Sequence, residues 1–303
     1  MRRMKPLGSW PKPPERNKRQ PVVAGIFYPE EKRPLTDLID RVTVPARRPA
    51  LADAPPRAPA RSARRRRAMA AIVPHGGLLD SGEVAGQVYS RIDLPPTVVL
   101  LGPNHTGAGR PFSVMARGSW VTPLGELPID EELAEAILAG APELEKDSLA
   151  HQDEHSIEVQ LPFLQRLGRI KAFVPIALAE AEEGTEMAVI RRIGQALAQA
   201  IRRREGEVLL VASTDLSRHE PLAAAQRKDR LALDRILALD EAGLMEAVKE
   251  HEISMCGPAS VSALIAAAKS LGVAGALLVK YEARAGQAGE SDSVIGYGGI
   301  LLR

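Results

Sequence analysis

From Met69 onward, short runs of Val, Ile, Leu and Ala alternate with longer amphipathic stretches. The runs are AAIVP, TVVLLG, FSVMAR, KAFVPIAL, EVLLVAS, GALLVKYE and SVIGYGGILL. Several are apolar at every position, so they suit strands buried on both faces, which need helices on each side. Helical periodicity predicts helices over 81–91, 130–140, 155–169, 184–204, 221–238, 240–249 and 258–271. The fold class expected is α/β, with a mostly parallel central sheet and helices on both faces. In such sheets ligands gather beyond the carboxyl ends of the strands. Polar residues that follow an apolar run therefore carry the functional question.

The first 70 residues have a different character. They carry 18 Lys and Arg against 6 Asp and Glu, a balance of +12, while the remainder carries −10. The basic charge belongs to a leader and the body is acidic, so the net +2 does not describe a nucleic-acid binder. Aromatic residues are only 3% of the chain, too few for a base-stacking platform. Residues 1–20 and the Pro/Arg-rich stretch 44–67 read as a disordered basic tail and an exposed loop, with the arginines at 64–67 solvated. Between them Leu35, Leu38, Ile39 and Val42 share one face of a helix. The expected organisation is one domain over 21–303. No apolar run is long enough to span a bilayer and the N-terminus has no secretory apolar segment, while a single cysteine excludes an internal disulfide. A reducing cytoplasm is the expected location.

Three polar residues follow strand-like runs: His75 in VPHGG, His105 in LGPNH and Asp215 in VASTDLS. They should share one sheet edge, and Asn104 can fix the turn that delivers His105. Cys256, in MCGP, precedes a proline suited to a first helical turn, where a thiolate is favoured for metal binding or nucleophilic attack; a buried inert thiol is the alternative. HQDEHSIEVQ, residues 151–160, packs two of the six histidines beside three acids. It reads as a metal site, an acid/base apparatus or a charged helix start. On a helix, His155 and Glu158 would share one face. His251 reads as a surface residue.

An ordered series of motifs joins these pieces: AGIFYP, IVPHGG, LLGPNH, WVTPLGELPID, DEHSIEVQLPFLQ, VASTDLS, MCGP and DSVIGYGGILL. Together they resemble the Memo family, and within it the AmmeMemoRadiSam system protein B branch, from about residue 21 to 303. The resemblance implies a fold similar to class III extradiol ring-cleavage dioxygenases. It also implies a pocket with His75, His105 and Cys256 as metal ligands, and with Asp215 and His155 beside them as candidate catalytic groups. Glu158, Arg218 and His219 are expected around that pocket. The chain departs from the family at two places: Arg218 stands three residues after Asp215, where a histidine is usual, with His219 displaced by one. Leu78 likewise stands in place of an aromatic hydroxyl.

Two imidazoles and a thiolate suit Fe(II) or copper, with zinc as an alternative, and are too soft for magnesium or calcium. The resemblance further implies action alongside a radical SAM protein and an AMMECR-type protein. Three readings follow: a mononuclear redox or dioxygenase-like metal enzyme, a non-catalytic metal- or partner-binding protein, and Cys–His nucleophilic catalysis.

Overall fold

In the strand Ala70–Val73 every side chain is buried. Ala70 and Ile72 join one apolar cluster, and Ala71 and Val73 join another. The same division separates Val99 and Leu101 from Val98 and Leu100, and Leu210 and Ala212 from Leu209 and Val211. Successive strand side chains point to opposite faces, so a sheet of such strands needs a cover on each side.

The computed structural model describes residues 18–43, 69–179, 187–204, 207–285 and 293–303. In chain order its elements are β1 (Lys18–Arg19), α1 (Lys32–Thr43), β2 (Ala70–Val73), α2 (Gly82–Tyr89), β3 (Thr97–Pro103), β4 (Phe112–Val114), β5 (Ser119–Thr122), β6 (Gly125–Pro128) and α3 (Glu131–Gly140). There follow β7 (Glu145–Lys146), α4 (Leu149–Gln152), a 3₁₀ turn at Glu158–Gln160, α5 (Leu161–Leu167), β8 (Ala172–Leu178), α6 (Met187–Arg202), β9 (Val208–Ser213) and β10 (Arg218–Glu220). The last are α7 (Leu222–Leu237), α8 (Glu241–Glu250), α9 (Pro258–Ser270), β11 (Ala276–Ala285) and β12 (Val294–Leu302). None of these helices is long and apolar enough to cross a membrane.

The main sheet runs β10-β12-β2-β9-β3-β8-β4-β7, with β11 also paired to β12. Its centre, β2, β9, β3 and β8, is parallel, as the uninterrupted apolar runs require. The flanks are not: β12 is antiparallel to both β2 and β11, and β4 is antiparallel to β8. The sheet is therefore mixed, with a parallel core rather than parallel pairing throughout. Helices α3, α6, α7, α8 and α9 cover one face, and α1, α2 and α5 the other.

The α1–α2 contact is unusually close. A Cβ on Gly86 would lie 2.6 Å from the Val42 carbonyl oxygen and 2.9 Å from its carbon. At an exposed helix position Gly→Ala gains about 1 kcal/mol. Here the overlap is with backbone, which moves less readily than a side chain, and overpacking costs about 1–3 kcal/mol. Gly86→Ala should therefore destabilise by about 1 kcal/mol or more. A urea midpoint that rose instead would show that α1 yields freely.

Two local expectations need correction. Lys18 and Arg19 do not belong to a disordered tail: they form β1, parallel to β5, in a small second sheet with β6. Arg19 is buried because Glu158 and three main-chain carbonyls hold its guanidinium. The rest of that tail and the 44–67 loop lie outside the described residues. Nor is 155–169 one helix. Pro162 lacks an N–H and cannot continue a helix entering from residue 155. The chain instead makes a 3₁₀ turn and begins α5 anew, with Pro162 in its first turn.

Candidate metal centre

His75 and His105 lie just beyond β2 and β3, and Cys256 immediately precedes the Gly257–Pro258 start of α9. The fold brings the three together: the ring nitrogens and the sulfur each offer one donor atom, and these all lie within 4.8 Å of one another. Cys256 Sγ is 3.3 Å from His75 Nε2. The two imidazoles meet edge to face with centroids 5.2 Å apart.

The surroundings fix which nitrogen of each histidine is free. His75 Nδ1 is 3.1 Å from Ser213 Oγ. That hydroxyl already donates to the Ser156 carbonyl at 2.7 Å and accepts from Gln160 Nε2 at 2.8 Å. Its one proton is used, so His75 Nδ1 must be the donor and Nε2 carries the lone pair. His105 Nδ1 faces Glu154 Oε1 at 3.0 Å, and a carboxylate only accepts, so here too Nε2 is the bare nitrogen. His105 Nε2 is buried and has no hydrogen-bond partner among the described residues. A buried nitrogen lone pair without a donor is rare in proteins and is what a metal ligand looks like in the absence of its ion. Two oriented imidazoles with free Nε2 atoms and an adjacent sulfur thus fit a soft or borderline metal.

Burial sets the protonation states. Desolvation, reinforced by the neighbouring His105 and His155, holds His75 well below the usual imidazole range. It pushes the Cys256 thiol up to about 12, aided by the nearby Asp215 carboxyl and opposed by the Thr214 hydroxyl and the Asp215 N–H, which approaches the sulfur at 3.1 Å. The expected helix-terminus activation of the thiol is outweighed by its complete burial. A cysteine in that state is a poor nucleophile at neutral pH, and a metal ion is the natural agent to displace its proton.

Asp215 is 2% exposed and accepts at Oδ1 from the N–H groups of His75, at 2.9 Å, and Gly76, at 3.2 Å. Its Oδ2 lies 4.0 Å from His75 Nε2. Burial raises its carboxyl to about 6. His155 stacks on His105 with centroids 4.7 Å apart and meets His75 edge-on. Desolvation lowers it to about 4, so it is neutral at physiological pH.

HQDEHSIEVQ turns out to be the frame of the centre. Glu154, Ser156, Glu158 and Gln160 are all wholly buried polar residues. Glu154 accepts from both His105 Nδ1 and its main-chain N–H, and its carboxyl is held near 2, these bonds overcoming the cost of burial. Gln160 and Ser156 position Ser213. His105, Glu154 and His155 also form a possible ligand group, but a metal there would displace the Glu154–His105 hydrogen bond.

Glu158 does not reach the centre. With residue 155 off the helix, the expected shared face does not exist. Glu158 instead pairs with Arg19 at 2.6 Å and accepts from the N–H groups of Val22 and Val23 and from Tyr28 Oη. Asn104 shapes the turn: its Nδ2 donates to the Ala108 carbonyl and its Oδ1 accepts from Thr106. His219 is also away from the site, exposed and in the left-handed region at φ 57°, 3.4 Å from Ser293 Oγ. Its neighbour Arg218 exerts its charge on His75, His155, Asp215 and Cys256. Leu78 is buried in the apolar cluster under α1 and α2, and His251 is an exposed cap of α8.

Residue-by-residue reading of the chain overlooks Glu154, Gln160, Ser213 and Tyr297. For the first two a signal existed, since polar residues at 154, 156, 158 and 160 repeat with a period of two. Tyr297, on β12, packs against the glycine after His75: a Cβ on Gly76 would lie 2.8 Å from its ring.

Known proteins place the whole chain in one family. The family model described as Memo-like protein matches residues 19–301. A MEMO1 family protein of Methanopyrus kandleri is 38% identical over 293 residues, covering 94% of this chain and 99% of that relative. MEMO1 family proteins of Pyrobaculum arsenaticum and Methanosarcina mazei are 37% and 35% identical, each covering 94% of this chain and 98% of the relative. With a match that spans the main sheet, its helical covers and every residue of the histidine–cysteine centre, this chain belongs to the Memo-like protein family.

Proposed function

We propose that the protein binds a single redox-active ion, iron or copper, through His75 Nε2, His105 Nε2 and Cys256 Sγ, and acts as a dioxygenase-like or other redox enzyme on a small substrate. The observation that carries the reading is the buried, partnerless Nε2 of His105. It lies beside a second imidazole whose Nε2 is freed by the Ser213 hydrogen bond and beside the chain's one cysteine. When bound, such an ion would supply an electron couple that no side chain here possesses.

The surrounding residues have separable tasks. Glu154 and Ser213 orient the two imidazoles. Asp215 has one oxygen committed to main-chain N–H groups and a second facing the centre, with a pKa near 6, so it can hold or release a proton around neutrality. His155, buried and neutral, can accept one. Gln at position 155 keeps hydrogen-bonding capacity but not imidazole basicity. His155→Gln should therefore weaken metal affinity or turnover about 10- to 100-fold without emptying the site. Complete loss of metal would instead make His155 a ligand, and no change at all would remove it from the centre.

Iron and copper are favoured over zinc because the donor set is mixed and soft, although zinc also accepts histidine and cysteine. Joint action with a radical SAM protein and an AMMECR-type protein remains part of the proposal, on the resemblance alone. Elemental analysis of tag-free protein purified without oxygen is the decisive test. About one iron or copper per chain is the expected result. A protein that carries no metal and takes up none on incubation would overturn the reading.

A further inference from the structure

Arg218 opens β10, and its backbone is clamped to the segment that carries Cys256. Its N–H donates to Ser254 Oγ at 2.8 Å, and that hydroxyl donates back to the Arg218 carbonyl at 3.0 Å. The next residue, His219, adopts φ 57° and turns outward. The main chain of Arg218 is thus held beside the segment that carries Cys256, while the histidine after it turns away.

Among the described residues, no acceptor reaches the Arg218 Nε, which is buried. The neighbouring acids are engaged elsewhere: Asp215 Oδ1 with two main-chain N–H groups, and Glu220 with Lys228 Nζ at 2.9 Å. The side chain is half-buried, and a donor sealed from water without an acceptor is a costly arrangement. Its planar fork of donors is matched by the two oxygens of a carboxylate. The charge of Arg218 reaches His75, His155, Asp215 and Cys256 alike, consistent with a position facing the centre. An apolar rim lies beside His155. Phe27 meets His155 edge-on at 4.9 Å, and Ile26 and Leu79, 73% and 67% exposed, line a groove with it.

We propose that Arg218 is the seat for the carboxylate of a small substrate with an apolar body, held against the His75–His105–Cys256 centre with that body along Phe27. The assignment rests on the metal-centre reading for the reaction but not for the binding of the anion. Arg218 is accordingly a specificity-determining residue, and the substrates admitted are organic acids rather than neutral compounds.

Calorimetric titration with benzoate, its neutral analogue benzamide and phenyl phosphate tests the seat. Wild-type protein should bind benzoate at least about tenfold more tightly than benzamide. Arg218→Gln should abolish that preference, and Arg218→Lys should restore part of it. Neither change should alter the melting curve greatly, because the Ser254 clamp uses only the main chain of residue 218. A wild type without preference for the acid, or Arg218→Gln with the preference intact, overturns the proposal. Phenyl phosphate bound about tenfold more tightly than benzoate would overturn the carboxylate assignment in favour of a phosphate seat. Metal content of the same samples reports separately on the centre: an Arg218-dependent preference in a protein that takes up no metal would sink the metal reading and leave the seat standing.

Discussion

Cys256→Ser should empty the metal site. The serine hydroxyl is a far weaker donor for a soft ion than a thiolate and would remain protonated, leaving two imidazoles to hold the metal alone. Occupancy should fall from about one metal per chain to a small fraction of that, while the fold persists, because a serine is slightly smaller and fits the same space. The wild-type melting temperature should rise with added metal and that of Cys256→Ser should not.

The pH dependence has a definite sign. Without metal the buried thiol keeps its proton until about pH 12, whereas in the unfolded chain it would lose it in the ordinary thiol range. The folded state thus binds the proton more tightly, and metal-free protein should lose stability as pH rises through that interval. Metal must displace this proton. Affinity should therefore climb about tenfold per unit between roughly pH 7.5 and 9.5, with about one proton released per ion from the cysteine. Should Cys256→Ser keep full occupancy, Cys256 is a packing residue and the ligand set is wrong.

Arg19→Met should produce the largest loss of stability of any change far from the metal. Arg19 lies with its guanidinium carbon 3.9 Å over the Trp120 ring. It donates at 2.6 Å to Glu158, to the His151 carbonyl and to the Glu154 carbonyl. Methionine keeps the apolar stem but leaves Glu158, whose side chain is 0% exposed, as a buried carboxylate without its cation. Breaking a buried pair from one side costs about 3–5 kcal/mol. A fall in melting temperature of roughly 10 °C is expected. The same bonds hold the segment that carries Glu154 and His155, so metal affinity should weaken as well. Removing both charges in Arg19→Met, Glu158→Gln should recover part of the loss, since the uncompensated charge is gone. A single variant as stable as wild type would return Arg19 to the basic tail that its neighbours suggest.

Much of the parallel core was legible because its cause is local. Side chains alternate across a strand, so AAIVP, TVVLLG and EVLLVAS, apolar at nearly every position, had to be covered on both faces. His75, His105 and Asp215 could be assigned to one edge because each follows such a run, and parallel strands end on the same side. The antiparallel flanks were less legible, since β11 and β12 carry the same kind of residue and their direction depends on which strand each meets. The hairpin of β5 and β6, with only four residues in each strand, left too short a pattern to read.

The sequence by itself determined which residues can do chemistry, because donor type and position after a strand are local properties. Only the tertiary structure decided how they combine. It placed Cys256 against His75 across 181 residues and turned Glu158 to Arg19 across 139. It turned His219 away from Arg218 by putting His219 itself in the left-handed region. It also decided between the two states open to the thiol, which stands at a helix start in sequence but is sealed from water in the fold. A helix terminus is visible in a few consecutive residues. Desolvation is the sum of everything packed around a group, and no local stretch of sequence contains it.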